Sequence, residues 1–121
     1  MKSKYTIEKN NSYLCITISG EYYKSDFLHY PKIVADACER QGIFKVLING
    51  LNLYGTDVPT MDRFFIGENI AITLGSNIKI AVVWPDEHIN KFAETVAVNR
   101  GSLITVVGKV SEAEAWLMKT I

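Results

Sequence analysis

The stretches Phe44-Lys45-Val46-Leu47-Ile48 and Ile78-Lys79-Ile80-Ala81-Val82-Val83-Trp84 decide the fold of this chain. Both are short, apolar and rich in β-branched residues, which is typical of strands buried on both faces of a sheet. Between them, the sequence predicts a loop over residues 49–58 and a helix over residues 59–74 with Pro59 at its first position. A strand, a helix and a second strand in this order pair their strands in parallel through a right-handed crossover.

The part of the chain before this unit predicts a hairpin and one helix. Residues 13–19 alternate between apolar and polar side chains, the period of a strand with one apolar face. Asn10-Asn11 fits a tight turn that joins it to a preceding strand over residues 5–9. Apolar residues at helical spacing predict a helix over residues 25–41. We expect a loose opening turn before Pro31, because proline disrupts a helix interior.

The part after it predicts a helix, a strand and a last helix. Asp86 is the expected N-cap of the third helix, residues 103–107 form the last strand, and Ser111 with Glu114 forms a capping box. The element order is therefore β-β-α-β-α-β-α-β-α. It predicts an α/β fold with a five-stranded mixed sheet covered by about four helices, as a single domain over residues 1–121.

Composition limits the classes of partner. The chain has 13 Lys and Arg against 13 Asp and Glu, so no net field attracts nucleic acid or an anionic membrane. A membrane span needs about 18 uninterrupted apolar residues, and no apolar run in the sequence is that long. No signal peptide is recognisable. We expect no nucleic-acid binding and no stable membrane insertion. The two cysteines have no paired spacing, and we expect a cytoplasmic protein.

Residue types used in catalysis are present but not at useful spacings. Asp86-Glu87-His88 predicts capping with a surface histidine, because consecutive residues point in different directions. Gly50 and Gly55 have the spacing that opens a phosphate-binding loop, but no Gly-Lys-Ser/Thr follows. Neither Cys15 nor Cys38 has a base beside it in the sequence. We therefore expect no enzyme activity, no metal site and no cofactor.

Two further pairs of charged residues are predicted to lie at the surface. Arg63 on the second helix could bind an anionic ligand or pair with an acidic residue of a neighbouring helix, but a solvent-facing position or a local ion pair is the favoured interpretation for Asp62 and Arg63. Glu94 is expected to pair with Arg100 near the end of the third helix.

Three parts of the chain give it a resemblance to the STAS superfamily, the domain of sulfate-transporter tails and anti-sigma-factor antagonists. It looks most like the SpoIIAA-like branch of small proteins. The stretches are Lys45-Val46-Leu47-Ile48-Asn49 with Met61-Asp62-Arg63-Phe64-Phe65-Ile66-Gly67, Ile80-Ala81-Val82-Val83 with Phe92-Ala93-Glu94-Thr95-Val96-Ala97, and Asn99-Arg100-Gly101 with Glu114-Ala115-Trp116-Leu117. The resemblance implies one STAS-like domain with a regulatory role.

The same resemblance directs attention to the loop after the central strand. In anti-sigma-factor antagonists this loop holds an Asp-Ser-Ser-Gly-like motif, whose serine is phosphorylated by a partner kinase. The corresponding residues 50–60 contain no serine. Thr56 and Thr60 are the hydroxyl groups that remain as candidates for phosphorylation.

This loop is also the best candidate binding site on physical grounds. Ligands of open α/β sheets bind beyond the carboxyl ends of the strands, and a helix start offers free N–H groups. Asn52, Tyr54, Thr56 and Thr60 can add hydrogen bonds there, although the threonines could equally cap the helix while Tyr54 packs at the rim. The expected occupant is a protein partner or a small, anionic or lipid-like, ligand.

A second reading is a homodimeric assembly protein without a ligand site. Phe64, Phe65 and Ile66 are three consecutive bulky residues, and they cannot all face one core. We expect at least one of them to lie in a dimer interface. A small enzyme is the least favoured of the three readings, because no catalytic constellation can be assembled.

Overall fold

The computed structural model describes residues 1–119 and has the predicted alternation of strands and helices. A short 3₁₀ turn, Asp86–His88, lies between the fourth strand and the third α-helix. Among the described residues, no helix is both long enough and apolar enough to cross a bilayer. The elements are β1 (Ser3–Lys9), β2 (Leu14–Glu21), α1 (Lys24–Gln41), β3 (Lys45–Tyr54), α2 (Thr60–Leu74), β4 (Lys79–Val83), α3 (Phe92–Asn99), β5 (Leu103–Val107) and α4 (Val110–Met118).

The five strands form one sheet in the order β1-β2-β3-β4-β5. β1 pairs antiparallel with β2, and every other pair is parallel. Leu14, Val46, Ile80 and Ile104 are successive partners across four strands and form a buried apolar row. The predicted five-stranded mixed sheet is confirmed. The row explains its register, because a slip of one residue would turn these side chains to the opposite face.

Helices cover the sheet on both faces, but unequally. The larger core lies on the face where α1 and α2 contribute Val34 and Leu74 and α3 contributes Ala97. On the other face, α4 packs Ala113 and Leu117 against the sheet. The successive strands of a buried parallel sheet need such cover on both faces.

The strand β3 is longer than predicted, and the loop expected over residues 49–58 is therefore wrong in its first half. β3 continues to Tyr54, and its pairing with β2 shifts register between Asn49 and Asn52. A Cβ atom on Gly50 would lie 2.7 Å from Cε3 of Trp84. Gly50 is therefore a close-approach residue inside a bulged strand, not the start of a loop.

The first helix is regular from its start, so the loose opening turn expected before Pro31 is wrong. α1 begins at Lys24, and the Phe27 N–H donates to the Tyr23 carbonyl. Gly42 ends the helix in a left-handed conformation, as expected of a C-terminal glycine. Tertiary contacts of the first turn, in which Asp26 accepts hydrogen bonds from Ser3, outweigh the local cost of an interior proline.

The N-terminal features predicted for the other three helices are not formed. Pro59 lies at the N-cap of α2 rather than at its first helical position. Asp86 belongs to the 3₁₀ turn and not to the start of α3. Ser111 lies inside α4, which begins at Val110 without a side-chain cap. For α2 and α4, packing on the sheet rather than a side-chain cap fixes where the helix begins, whereas the first N–H of α3, that of Phe92, donates to Asn90 Oδ1 at 3.0 Å.

The first turn of α1 is tied to β1 through the buried carboxylate of Asp26. It accepts hydrogen bonds from the backbone N–H of Lys2 and of Ser3 and from the Ser3 hydroxyl, at 2.8–2.9 Å. Burial raises the pKa of Asp26, but the hydrogen bonds from Ser3 and Lys2 outweigh it and the pKa is lowered from its ordinary value. A buried carboxylate of this kind is stabilising only while it is ionised.

The substitution Asp26→Asn should therefore reduce both the stability of the protein and the dependence of that stability on pH. We expect the free energy of unfolding at pH 7 to fall by about 2 kcal/mol, because an amide cannot accept all three hydrogen bonds. Since the pKa of Asp26 is lower in the folded protein, its contribution is present above about pH 4 and is lost as the pH falls. Urea unfolding at pH 7 and pH 3 measures both effects.

The matched control is Asp36→Asn in the same helix. Asp36 is exposed and lies 4.0 Å from Lys32, so its substitution should have little effect. The assignment to Asp26 would be wrong if wild type and Asp26→Asn lost stability in parallel between pH 7 and pH 3.

Candidate functional site

The four residues predicted for the site lie in three different settings. Asn52 and Tyr54 are in the last part of β3, two positions apart and both exposed. Leu53 between them is buried, so the two polar side chains share the outer face of the strand. Thr60 is exposed and is the first residue of α2. Thr56 is only 4% exposed. The structure does not bring the four side chains together as one group.

Thr56 is turned into the protein, where it joins the end of β3 to the residues after β4. Its hydroxyl is hydrogen-bonded to Nδ1 of His88 at 2.8 Å. Its backbone carbonyl accepts from Nε1 of Trp84 at 3.1 Å. The surface histidine expected at residue 88 is therefore half-buried and bonded. Thr56 is a structural residue of the connection between β3 and α2.

Arg63, which lies next to this connection, is a residue that the sequence prediction placed wrongly. It is buried rather than solvent-facing. Its Nε donates to the Val58 carbonyl and its Nη2 to the His88 carbonyl, both at 2.8 Å. Burial lowers the pKa of Arg63 from its ordinary value, with the negative charge of Asp57 acting against this shift. Arg63 thus joins the start of α2 to the turn after β4.

The spacing of the buried residues in α2 is the sequence signal from which the burial of Arg63 could have been predicted. The buried residues of the helix are Arg63, Gly67, Ala71 and Leu74. They fall at intervals of three and four residues, which is one stripe of a helix. An arginine on that stripe must find acceptors inside the protein.

Asp62 also departs from the predicted solvent-facing position. The Tyr22 hydroxyl donates to Asp62 at 3.0 Å, and the Tyr22 N–H donates to the Tyr54 carbonyl at 2.9 Å. Burial, and then the hydrogen bond to Asp62, raise the pKa of Tyr22 above its ordinary value. Tyr22 therefore joins the segment before α1 to both the end of β3 and the start of α2.

Around this bonded connection, large apolar side chains face outward. Tyr54 is 63% exposed and Met61 is 59% exposed. Leu51 on β3 and Phe65 on α2 are exposed as well. We call Tyr54, Met61 and Phe65 together the outer surface of the connection.

The three residues predicted for a dimer face differ in their surroundings. Phe65 is exposed, with the Lys24 ammonium 4.9 Å from the centre of its ring. Phe64 is half-buried, and the Arg100 guanidinium lies over its ring at 5.6 Å. Ile66 packs against the larger core. Of the three, Phe65 is the one available to a second molecule.

The expected pair of Glu94 and Arg100 is not formed. Arg100 pairs with Glu68 at 3.5 Å, and Glu94 pairs with Lys91 at 3.6 Å. Glu94 also accepts the Val106 N–H at 2.8 Å. The Glu94 carboxylate therefore covers a backbone N–H at the edge of the last strand. The Glu68 carboxylate instead forms the ion pair with Arg100.

The cysteines lie away from this surface. Burial raises the pKa of Cys38 to about 11, and burial also raises the pKa of the half-buried Cys15. A thiol with a raised pKa stays protonated and unreactive near neutral pH. Among residues 1–119, no three or more His, Cys, Asp or Glu side chains are grouped so as to hold a metal ion.

No protein-family model and no curated protein sequence matches this chain. A match exists at the level of structure, to an anti-sigma factor antagonist from Mycobacterium paratuberculosis. The two structures align with a TM-score of 0.66 over 97% of this chain and 95% of that chain, at 8% sequence identity. This chain has the STAS fold. The fold implied by the sequence resemblance is confirmed.

Within this STAS fold, Arg63 should be essential for the connection between β3 and α2. We expect Arg63→Met to lower the free energy of unfolding by about 2 to 3 kcal/mol, because two carbonyls lose charge-assisted hydrogen bonds. Arg63→Lys should recover only part of this loss, since a single ammonium lacks the planar fork that reaches both carbonyls. Urea unfolding monitored by circular dichroism measures the loss.

Arg40→Met is the control, because Arg40 is exposed in the last turn of α1. It should change the free energy of unfolding by less than about 0.5 kcal/mol. Equal effects of the substitutions at residues 63 and 40 would refute the bridging role of Arg63.

Proposed function

We propose that this protein is a non-catalytic regulatory module that binds a protein partner through the outer surface of the connection, together with Asn52 and Thr60. The observation that carries the proposal is the exposure of Tyr54 and Met61 on a backbone held from inside. Such a surface needs little reordering on binding, which lowers the entropic cost of association. Tyrosine and methionine are also enriched in protein interfaces.

The chemistry of the connection favours a protein over a small anion. Asp57 is exposed beside the start of α2, and Asp62 is in its first turn. Their carboxylates oppose an anion at this helix end. Arg63, the nearest cation in the sequence, already donates to two backbone carbonyls. An apolar partner surface meets no such electrostatic penalty.

The structural similarity supports the same choice. An anti-sigma factor antagonist is, by its name, a protein that acts on another protein, and this chain shares its fold. Because a fold hosts many functions, the identity of the partner must come from the exposed residues of this chain. Those residues are mainly aromatic and aliphatic, so we infer a partner with an apolar contact patch.

Site-specific photo-crosslinking tests the proposal. A benzophenone amino acid is introduced at residue 54, 61 or 118 in separate variants, which are irradiated in the protein's own cells. Met118 is a matched control, since it is 51% exposed but lies on α4 on the other face of the sheet. We expect one and the same partner protein to be captured from residues 54 and 61 and not from residue 118.

A second substitution sharpens this test. Tyr54→Ala, combined with the crosslinker at residue 61, should reduce the yield of the captured protein at least fivefold, as expected of an aromatic interface residue. Capture that is equal at all three positions, or absent from residues 54 and 61, would contradict the proposed surface.

Self-association is the second candidate, and α2 supplies the observation that favours it. Ile72 is 81% exposed and lies two helical turns after the exposed Phe65. The same crosslinker at residue 72 separates the two candidates. A product of twice the chain mass from residue 72 supports a homodimer, whereas a different protein captured from residues 54 and 61 supports the partner-binding module.

Regulation by phosphorylation, if present, should use Thr60 rather than Thr56. Thr60 is exposed at the start of α2, whereas Thr56 is buried and its hydroxyl is hydrogen-bonded to His88. A kinase needs an accessible hydroxyl, and of the two threonines only Thr60 is exposed. We expect peptide mass spectrometry of the protein from its own cells to find any added phosphate on Thr60. A phosphate on Thr56 would contradict this assignment.

A further inference from the structure

An apolar cavity lies between the sheet and the three helices α1, α2 and α3. Its volume is about 120 Å³. The walls include Phe27 and Val34 from α1, Ile66 from α2, Val82 from β4 and Ala93 from α3. Protein interiors are close-packed, so a void of this size is unusual in the core of a 121-residue chain.

The polar groups in the wall already have partners inside the protein. They belong to Tyr22, Tyr30, Arg63, Glu94 and Trp84. The two tyrosine hydroxyls are bonded to side chains, and the arginine, glutamate and tryptophan groups are bonded to the backbone. Among residues 1–119, the Ser102 hydroxyl is the one buried side-chain nitrogen or oxygen without a hydrogen-bond partner, and Ser102 does not line this cavity. The cavity therefore favours an occupant without polar groups.

Aromatic rings determine which apolar shape fits best. Phe27 stands edge-to-face with Tyr30 and with Trp84, with ring centres 5.1 and 5.9 Å apart. Its ring centre is 4.9 Å from that of Tyr22. Rings packed in this way present both edges and faces, and a further planar ring joins such a cluster at favourable angles.

The size of the space sets the size of the occupant. An engineered apolar cavity of about 150 Å³ in another protein stays dry and binds benzene. We propose that the cavity between the sheet and α1–α3 is a binding site for one small apolar aromatic molecule of about one ring. The proposal goes beyond the partner-binding surface and does not depend on it, because its walls and its test involve no partner protein.

Benzene is the probe, and two-dimensional ¹⁵N–¹H NMR of the intact protein is the measurement. We expect saturable chemical-shift changes at residues of the wall, among them Phe27, Ile66 and Ala93. Phenol should bind more weakly than benzene, because burying its hydroxyl is costly and the polar groups of the wall are already engaged. Shifts that do not saturate, shifts centred elsewhere, or equal affinity for phenol and benzene would overturn the proposal.

Two matched variants locate the site. Ala93→Leu extends a side chain into the cavity, whereas Ala115→Leu makes the same change at an exposed position of α4. We expect benzene affinity to fall at least tenfold in Ala93→Leu and to stay unchanged in Ala115→Leu. Unchanged affinity in Ala93→Leu would overturn the proposal. If Ala93→Leu does not fold, Val106→Leu fills the same cavity from β5 and is read in the same way.

Discussion

The buried guanidinium of Arg63 holds together the segments that build the candidate site. It donates to one carbonyl before α2 and to another after β4. Removing a charge from water is costly, and these two charge-assisted bonds offset that cost while satisfying acceptors that would otherwise be buried alone. Because the carbonyl of His88 is held by Arg63 and its ring by Thr56, the backbone beneath Tyr54 and Met61 is fixed from two directions.

The helices that carry this arrangement are packed tightly in one place and loosely in another. A Cβ atom on Gly67 would lie 2.6 Å from the Ala93 carbonyl, so α2 and α3 can approach because residue 67 is glycine. Beside the sheet, the same helices leave the apolar cavity. At about 24 cal/mol per Å³, an empty space of this size costs on the order of 3 kcal/mol. That is a large share of the about 5 to 15 kcal/mol that stabilises a typical domain, and an apolar occupant would recover part of it.

Side-chain periodicity was sufficient to predict the sheet and its cover, but not the details of the site. The strict alternation of residues 13–19 identified β2, and two β-branched runs identified β3 and β4. The end of β3 was missed because Asn49, Gly50 and Asn52 have turn-like composition, whereas here a bulge and the contact with Trp84 place them in the sheet. The sequence leaves Thr56 as a ligand-binding or helix-capping residue, because a hydroxyl gives no sign, in sequence, of a partner 32 residues away.

A fold depends on a pattern of apolar residues rather than on particular residues, which explains how two chains can share a fold at 8% identity. The order of strands and helices depends on where apolar residues recur, and many sequences satisfy that requirement. Recognition depends instead on particular side chains. In this chain the Thr56 hydroxyl is used to hold His88, while Tyr54, Met61 and Phe65 remain outside. Since the hydroxyl is committed to the interior and the apolar groups face solvent, a partner of the kind proposed would be selected mainly by shape and apolar contact.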